Sequence, residues 1–378
     1  MKLTRRNFLK RGSIFGLGLG ISPLLLKYLS SPSLLAALEK PEALQEAMYY
    51  KMIDEKTAWC RLCPWKCILA EGVRSVCRVR EVRKGKFYTL AYGNPCSVHV
   101  DPIEKKPVFH LLPGSTSFSL ATAGCNLRCK FCQNWQISQF PPEETRNYKL
   151  SPEEVVEKAV QAKSRSIAYT YSEPIIFYEY MLDTAKLARK KNIKGVWVTA
   201  GYINEEPLKE LAKYIDVANI DLKGFTEKFY AHVCGGELKY VLETLKTARK
   251  EGIWVEVTNL IIPTLNDDLK TIEEMCRWLK ENLGPDVPLH FSRFWPMYKL
   301  KNLDPTPVKT LEEARKTALR VGLNYVYIGN VPGHEGNNTY CPNCKKILIQ
   351  RLGYKILRNN IEEGKCKFCG RKIPGVWN

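Results

Sequence analysis

Acidic residues are scarce in this sequence. Its 378 residues carry 39 Asp and Glu against 58 Lys and Arg, a net charge of +19. That excess favours acidic partners (nucleic acid, anionic lipid or an acidic protein), although a lysine-rich surface alone also produces it. There is no internal repeat and no low-complexity tract. Hydrophobic residues make up 45% of the chain, so a real core forms and wholesale disorder is excluded. Long apolar runs are missing too: Gly12–Leu26 (GSIFGLGLGISPLLL) is too short and too glycine-rich to read as a membrane span. The 14 cysteines are not dispersed as in a disulfide framework; only Cys96, Cys234 and Cys276 stand outside close clusters. Tight C-x2-C and C-x3-C spacings let neighbouring thiolates reach one metal centre. Eleven cysteines therefore read as metal ligands and three as ordinary buried thiols.

The chain divides into five stretches. Residues 1–30 contain Thr4-Arg5-Arg6-Asn7-Phe8-Leu9-Lys10, which resembles a twin-arginine export signal. That points to the periplasm or cell envelope, against the cytoplasmic supply of the small molecules invoked below. Residues 31–58, rich in Ala, Leu and Glu, read as a helical linker. Residues 59–112 hold a first four-cysteine module. From 113 to 332 short apolar strands alternate with helical periodicity, and residues 333–378 form a second four-cysteine module. The expected strands are 117–123, 167–171, 194–199, 216–222, 253–262, 287–294 and 324–329. Ser151-Pro-Glu-Glu opens a helix with an N-cap serine and a proline at the first helical position. Strand–helix alternation predicts an α/β fold with a parallel sheet: a full or partial TIM-like (β/α) barrel, or an open doubly wound sheet. Both place chemistry at the C-terminal strand ends.

The central signal is Cys125-Asn-Leu-Arg-Cys129-Lys-Phe-Cys132, in the loop after the first of these strands. Three thiolates in this C-x3-C-x2-C loop can wrap one cubane cluster, ligating three of its four irons and leaving the fourth open. With aromatic Phe131 before the last cysteine, the motif resembles the radical S-adenosylmethionine (SAM) superfamily. The resemblance implies a [4Fe-4S] cluster on Cys125, Cys129 and Cys132. It further implies SAM bound at the open iron, and a low-potential electron donor. A structural zinc site lacking its fourth ligand is the rival reading. Tyr171-Ser172-Glu173-Pro174 is similar to the superfamily's Gly-Gly-Glu-Pro turn, which meets the SAM amino group, but without the glycines. Asp221-Leu222-Lys223 resembles the Asp-x-Lys of pyruvate formate-lyase activating enzymes, implying contacts to the SAM amino and carboxylate groups. His290 resembles a ribose-contacting histidine of the same enzymes. Longer stretches (CRLCPWKCILAEGVRSVCRVR, ATAGCNLRCKFCQNWQISQ, TYSEP and TYCPNCKK) are similar to the radical SAM member of the AmmeMemoRadiSam system. That resemblance implies Memo-like and AMMECR-type partners and activating-enzyme-like chemistry with a protein as candidate substrate.

Cys341, Cys344, Cys366 and Cys369 have zinc-ribbon or rubredoxin-like spacing, favouring structural zinc over iron or two disulfides. Cys60, Cys63, Cys67 and Cys77 suit either zinc or an auxiliary [4Fe-4S] cluster. The alternative to a radical enzyme is a nucleic-acid-binding or nucleic-acid-modifying iron–sulfur protein with zinc modules. It is motivated by the charge, though no RNA-binding aromatic signature is evident. A plain electron-transfer protein accounts for the cysteines but not for the polar strand tips.

Overall fold

A computed structural model describes residues 44–377. Its centre is a run of seven parallel strands: β1 (Thr116–Thr122), β2 (Ser166–Tyr169), β3 (Lys194–Thr199), β4 (Val217–Asp221), β5 (Trp254–Ile261), β6 (Leu289–Arg293) and β7 (Val326–Gly329). They lie side by side in chain order. Six helices connect them: α1 (Pro152–Gln161), α2 (Tyr178–Lys190), α3 (Glu205–Ala212), α4 (Leu238–Lys250), α5 (Leu269–Leu283) and α6 (Val308–Val321). Strand order without a reversal means that every crossover steps the same way, so the helices gather on one face. A doubly wound sheet needs a switch point, and none exists here. Nor is the barrel closed. Pro95–Pro102 pairs antiparallel with β1 at one edge, and β7 forms the other. The fold is thus an open, barrel-like arc.

Local sequence explains the helix ends. Ser151 and Glu154 form a reciprocal capping box at α1, with Pro152 at its first position. Asp268 accepts from the Thr271 N–H at the start of α5. α6 stops at Gly322, which takes φ +104°.

Strand side chains alternate between two environments. Ile167, Tyr169, Trp197, Ala218 and Ile220 face the helices in the main core. Truncating fully buried Trp197 to Ala would cost about 3–5 kcal/mol. On the opposite face Ala168, Val196 and Val217 pack against Ile103, Val108, Leu111 and Leu112. Segment 103–112 therefore fills the N-terminal part of the arc's inner face. The C-terminal part is left for polar side chains.

Residues 45–58 are not helical, contrary to the linker expectation. Gln45–Glu46 pairs with Lys86–Thr89, and Tyr50–Met52 pairs with Thr57–Cys60. The aromatic and β-branched residues Tyr50, Thr57 and Trp59 favour pleated pairing, which outweighs the Ala, Leu and Glu bias of the preceding residues. The N-terminal module consists of these short strands with Ile68–Ala70 and Arg80–Arg83. The C-terminal module is a three-stranded sheet (Thr339–Tyr340, Ile347–Leu352, Lys355–Asn359) plus the pair Ile361–Glu362 and Lys365–Cys366. The twin-arginine segment lies outside the described residues. Among the described residues no helix is long and apolar enough to cross a membrane.

Candidate functional site

At the C-terminal ends of the strands lies a cavity of about 830 Å³. Its lining includes Cys125, Cys129, Cys132, Ser172, Glu173, Asp221, Lys223 and His290. Four separate stretches of sequence thus meet in one space.

The three-cysteine loop leaves β1 through Gly124. This residue has φ +99°, and a Cβ there would lie 2.5 Å from the Cys77 carbonyl oxygen. Glycine is required on both counts. Arg128 braces the loop, donating to the carbonyls of Cys125 (2.8 Å) and Leu127 (2.9 Å) and to that of Val76. The Leu127 N–H points at Cys125 Sγ (3.3 Å), and Ser138 Oγ lies 3.1 Å from Cys132 Sγ. Burial pushes the Cys125 and Cys132 thiols up. Cys129 is raised by its hydrogen bond to the Cys234 side chain and by burial. One buried and two half-buried thiols bear negative charge readily only beside a compensating cation, and metal coordination supplies one. Three sulfurs facing one shared cavity fit a cubane held through three irons.

Tyr171 stands where the glycine pair is absent, and it adopts φ +64°, a glycine-like conformation. Its hydroxyl donates to Asp101, which also binds the buried Lys106 Nζ (2.5 Å). Ser172 Oγ donates to the Thr122 carbonyl (2.7 Å), so this side chain ties β2's tip to β1's. Glu173 is buried. Its carboxylate accepts from Thr199 Oγ1 (2.6 Å), the Ala200 N–H (2.8 Å) and the Ile175 N–H (3.2 Å). Burial outweighs these bonds and raises its pKa to about 7.

Asp221, Thr258, His290 and Tyr327 occupy one lateral register across β4 to β7. Lys223 Nζ donates to Asp221 Oδ2 at 2.7 Å. Burial opposes the Lys223 charge, but the Asp221 carboxylate prevails and holds its pKa well above the ordinary value. His290 Nε2 lies 2.7 Å from Glu256 Oε2, and its ring stacks on Tyr327 with centroids 4.9 Å apart. Glu256 also accepts from the Phe109 (3.0 Å) and His110 (2.8 Å) N–H groups. Burial works against its charge, yet the His290 bond and the surrounding positive groups lower its pKa. Ionised Glu256 is acceptor-only, so His290 carries its proton on Nε2.

Sequence reasoning missed Glu256, Thr199 and Lys106. Glu256 had a visible signal, a lone acid inside the apolar run Ile253–Ile262. Thr199 and Lys106 had none.

The C-terminal quartet is tightly drawn. Cys341 Sγ and Cys369 Sγ are 3.7 Å apart, and Cys344 Sγ and Cys366 Sγ 3.8 Å apart. Tetrahedral ligands at a Zn–S distance of ~2.3 Å stand ~3.8 Å from one another. The thiols are free rather than bridged, so the disulfide alternative falls. Lys345 (φ +60°) and Gly370 (φ +72°), each following the second cysteine of its pair, turn the two Cys-x2-Cys knuckles. At the N-terminal quartet, burial and neighbouring cysteines raise the Cys60 and Cys63 thiols.

This combination of arc and cysteine loop defines a radical SAM domain: residues 119–279 match the radical SAM superfamily. Such a domain implies SAM and a [4Fe-4S] cluster. The chain belongs to the same family as the uncharacterized protein MJ0808 of Methanocaldococcus jannaschii. The two are 50% identical over 335 residues, covering 88% of this chain and all of that one. A pyruvate formate-lyase-activating enzyme of Clostridium pasteurianum is 26% identical over 166 residues, 42% of this chain and 66% of that enzyme. Among solved structures, a radical SAM methyltransferase from Sphaerobacter thermophilus aligns with a TM-score of 0.45 at 13% identity, covering 80% of this chain and 82% of that one.

Proposed function

We propose that the protein cleaves SAM reductively and uses the resulting radical to remove hydrogen from a substrate, in the manner of an activating enzyme. The observation that carries this reading is the convergence of the three-cysteine loop, Glu173, Asp221, Lys223 and His290 on one cavity. When bound, the cluster supplies the one electron that splits the sulfonium into methionine and a 5′-deoxyadenosyl radical.

The chain's own residues bind and orient. Lys223 holds its charge beside Cys129, where it can meet a carboxylate, and Asp221 is placed for an amino group. Glu173 offers a buried carboxylate to the same ammonium. His290, fixed by Glu256 and Tyr327, is positioned for a ribose. By family resemblance, the reading includes a low-potential electron donor, Memo-like and AMMECR-type proteins as partners, and a protein as the candidate substrate.

The test is anaerobic reduction of the purified protein with SAM. 5′-Deoxyadenosine should form, and Cys129→Ala should abolish it. Cluster-replete wild-type protein that forms none overturns the reading.

A further inference from the structure

We propose that Cys60, Cys63, Cys67 and Cys77 hold a second iron–sulfur cluster rather than zinc, and that this cluster is the port through which electrons reach the three-cysteine loop.

The chain contains its own standard for a single-ion site. Among the described residues, the one group of three or more Cys, His, Asp or Glu whose ligand atoms all lie within 4.8 Å of one another is the C-terminal quartet. A lone zinc demands that closeness, because four thiolates at ~2.3 Å from one ion cannot stand farther apart than ~4 Å on average. Neither the N-terminal quartet nor the three-cysteine loop gathers so tightly. A cubane is larger than an ion and is gripped by thiols spaced around it. In this respect the N-terminal quartet resembles the loop that the radical SAM fold assigns to a cluster.

The rest of the donor set agrees. All four thiols are free. Cys60 and Cys77 are buried, Cys63 and Cys67 half-buried. The Cys60 N–H bonds to the Cys67 carbonyl at 2.8 Å, which folds the first three cysteines into one loop. Arg80, fully buried and paired with Glu179 at 2.6 Å, is the internal cation beside Cys60 and Cys77.

Placement argues for a redox role. The Cys77 carbonyl packs against Gly124, the residue immediately before Cys125, with no room for a Cβ between them. Arg128 spans the two loops, donating to Val76 on one side and to Cys125 on the other. Trp65, between Cys63 and Cys67, donates its indole N–H to the Asn126 carbonyl at 2.6 Å. The two cysteine sites therefore share three backbone contacts. A structural zinc gains nothing from this adjacency, whereas electron transfer depends on it. The port role rests on the SAM-cleaving reading above; the metal assignment does not. In the transfer, a low-potential one-electron donor of the ferredoxin or flavodoxin class loses one electron. The N-terminal site gains it and passes it on, with no bond made or broken and no proton moved.

The experiment uses the full chain, purified anaerobically, with iron, acid-labile sulfide and zinc counted per chain and the reduced protein examined by electron paramagnetic resonance. Wild type should contain about eight irons and eight sulfides with about one zinc, since two cubanes carry four irons each. Cys63→Ser should lose about four irons while keeping a resonance that SAM alters, and its reduction by ferredoxin should be lost while dithionite still reduces it. Cys129→Ala should also lose about half its iron, and its remaining resonance should ignore SAM. About four irons with two zincs in wild type overturns the assignment. If Cys63→Ser does not fold, the wild-type metal count and the Cys129→Ala resonance decide alone. Two clusters present with neither responding to SAM would sink the SAM-cleaving reading and the port, leaving the second cluster standing.

Discussion

His290 donates its Nε2–H to Glu256 Oε2 across 2.7 Å, and both side chains are buried. The bond leaves the other ring nitrogen for a ligand and fixes where it points. Glu256→Gln keeps the volume but turns one acceptor into a donor facing the N–H groups of Phe109 and His110. An orphaned buried N–H costs about 1–3 kcal/mol, so the Tm should fall by several degrees. With the ring no longer held, SAM affinity should fall about tenfold, or 1.4 kcal/mol. Because the Glu256 pKa is depressed, its stabilising contribution is present above the ordinary carboxylate range and fades as pH falls below it. Thermal denaturation and calorimetric titration check both effects. Wild-type SAM affinity in Glu256→Gln would remove His290 from the binding set.

Glu173 makes a separate pH prediction of opposite sign. Its folded pKa is about 7, above its ordinary 4.5, so folding favours the protonated form. Stability is therefore greatest below about pH 4.5 and declines as pH rises through 7, by at most about 3 kcal/mol in the ligand-free protein. A bound ammonium reverses the preference and ionises the carboxyl. SAM binding at pH 6.5 should therefore release a proton, visible as a dependence of the calorimetric enthalpy on buffer ionisation. Glu173→Gln should bind without that dependence.

The strands and the ligand loop were legible because they are local. A run such as Lys194–Thr199 carries its β-propensity within itself, and Cys125 to Cys132 carries its own spacing. Residues Glu173, Asp221 and His290 were reached because motifs mark strand tips. Their supports were not. Phe109 and Glu256 are 147 positions apart, and no local pattern announces that a segment preceding β1 returns to plug the arc beneath β5. The linker reading failed for the same reason. The sequence around Tyr50 has mixed propensity, and its partner strand Thr57–Cys60 decides the outcome. Open or closed barrel was likewise undecidable from alternation alone, since closure depends on whether the first and last strands meet.

The C-terminal four-cysteine site should influence the cavity as well as its own module. Arg351, on the strand Ile347–Leu352, lies over the Phe109 ring at 4.0 Å and donates to the Phe109 carbonyl at 3.1 Å. Phe109 in turn packs edge-on against His290, with centroids 4.8 Å apart. Cys344→Ser, or chelation of the metal, should unfold the knuckles, lower the Tm by several degrees and weaken SAM binding by a few-fold. Zinc analysis before and after chelation, followed by SAM titration, checks the chain of contacts. Loss of zinc with unchanged SAM affinity would show that the module is uncoupled from His290.

Cys234 provides the sharpest test of the open iron. It was read as an ordinary buried thiol, yet its backbone carbonyl accepts from the Cys129 thiol at 4.0 Å and its side chain helps that thiol retain its proton. A fourth thiolate on the cluster would leave no vacancy for SAM. Geometry argues against that role. Cys125, Cys129 and Cys132 line the cavity, while Cys234 is wholly buried and does not. It closes the turn Tyr230–Cys234, whose last carbonyl accepts the Arg128 N–H at 2.7 Å and so anchors the cysteine loop by its backbone. Cys234→Ala should therefore leave the iron content and the SAM-dependent formation of 5′-deoxyadenosine intact. The truncation of one small buried side chain should cost about 1 kcal/mol of stability. If instead the variant loses the same iron as Cys129→Ala, the cluster has four protein ligands and the cavity does not face an open iron.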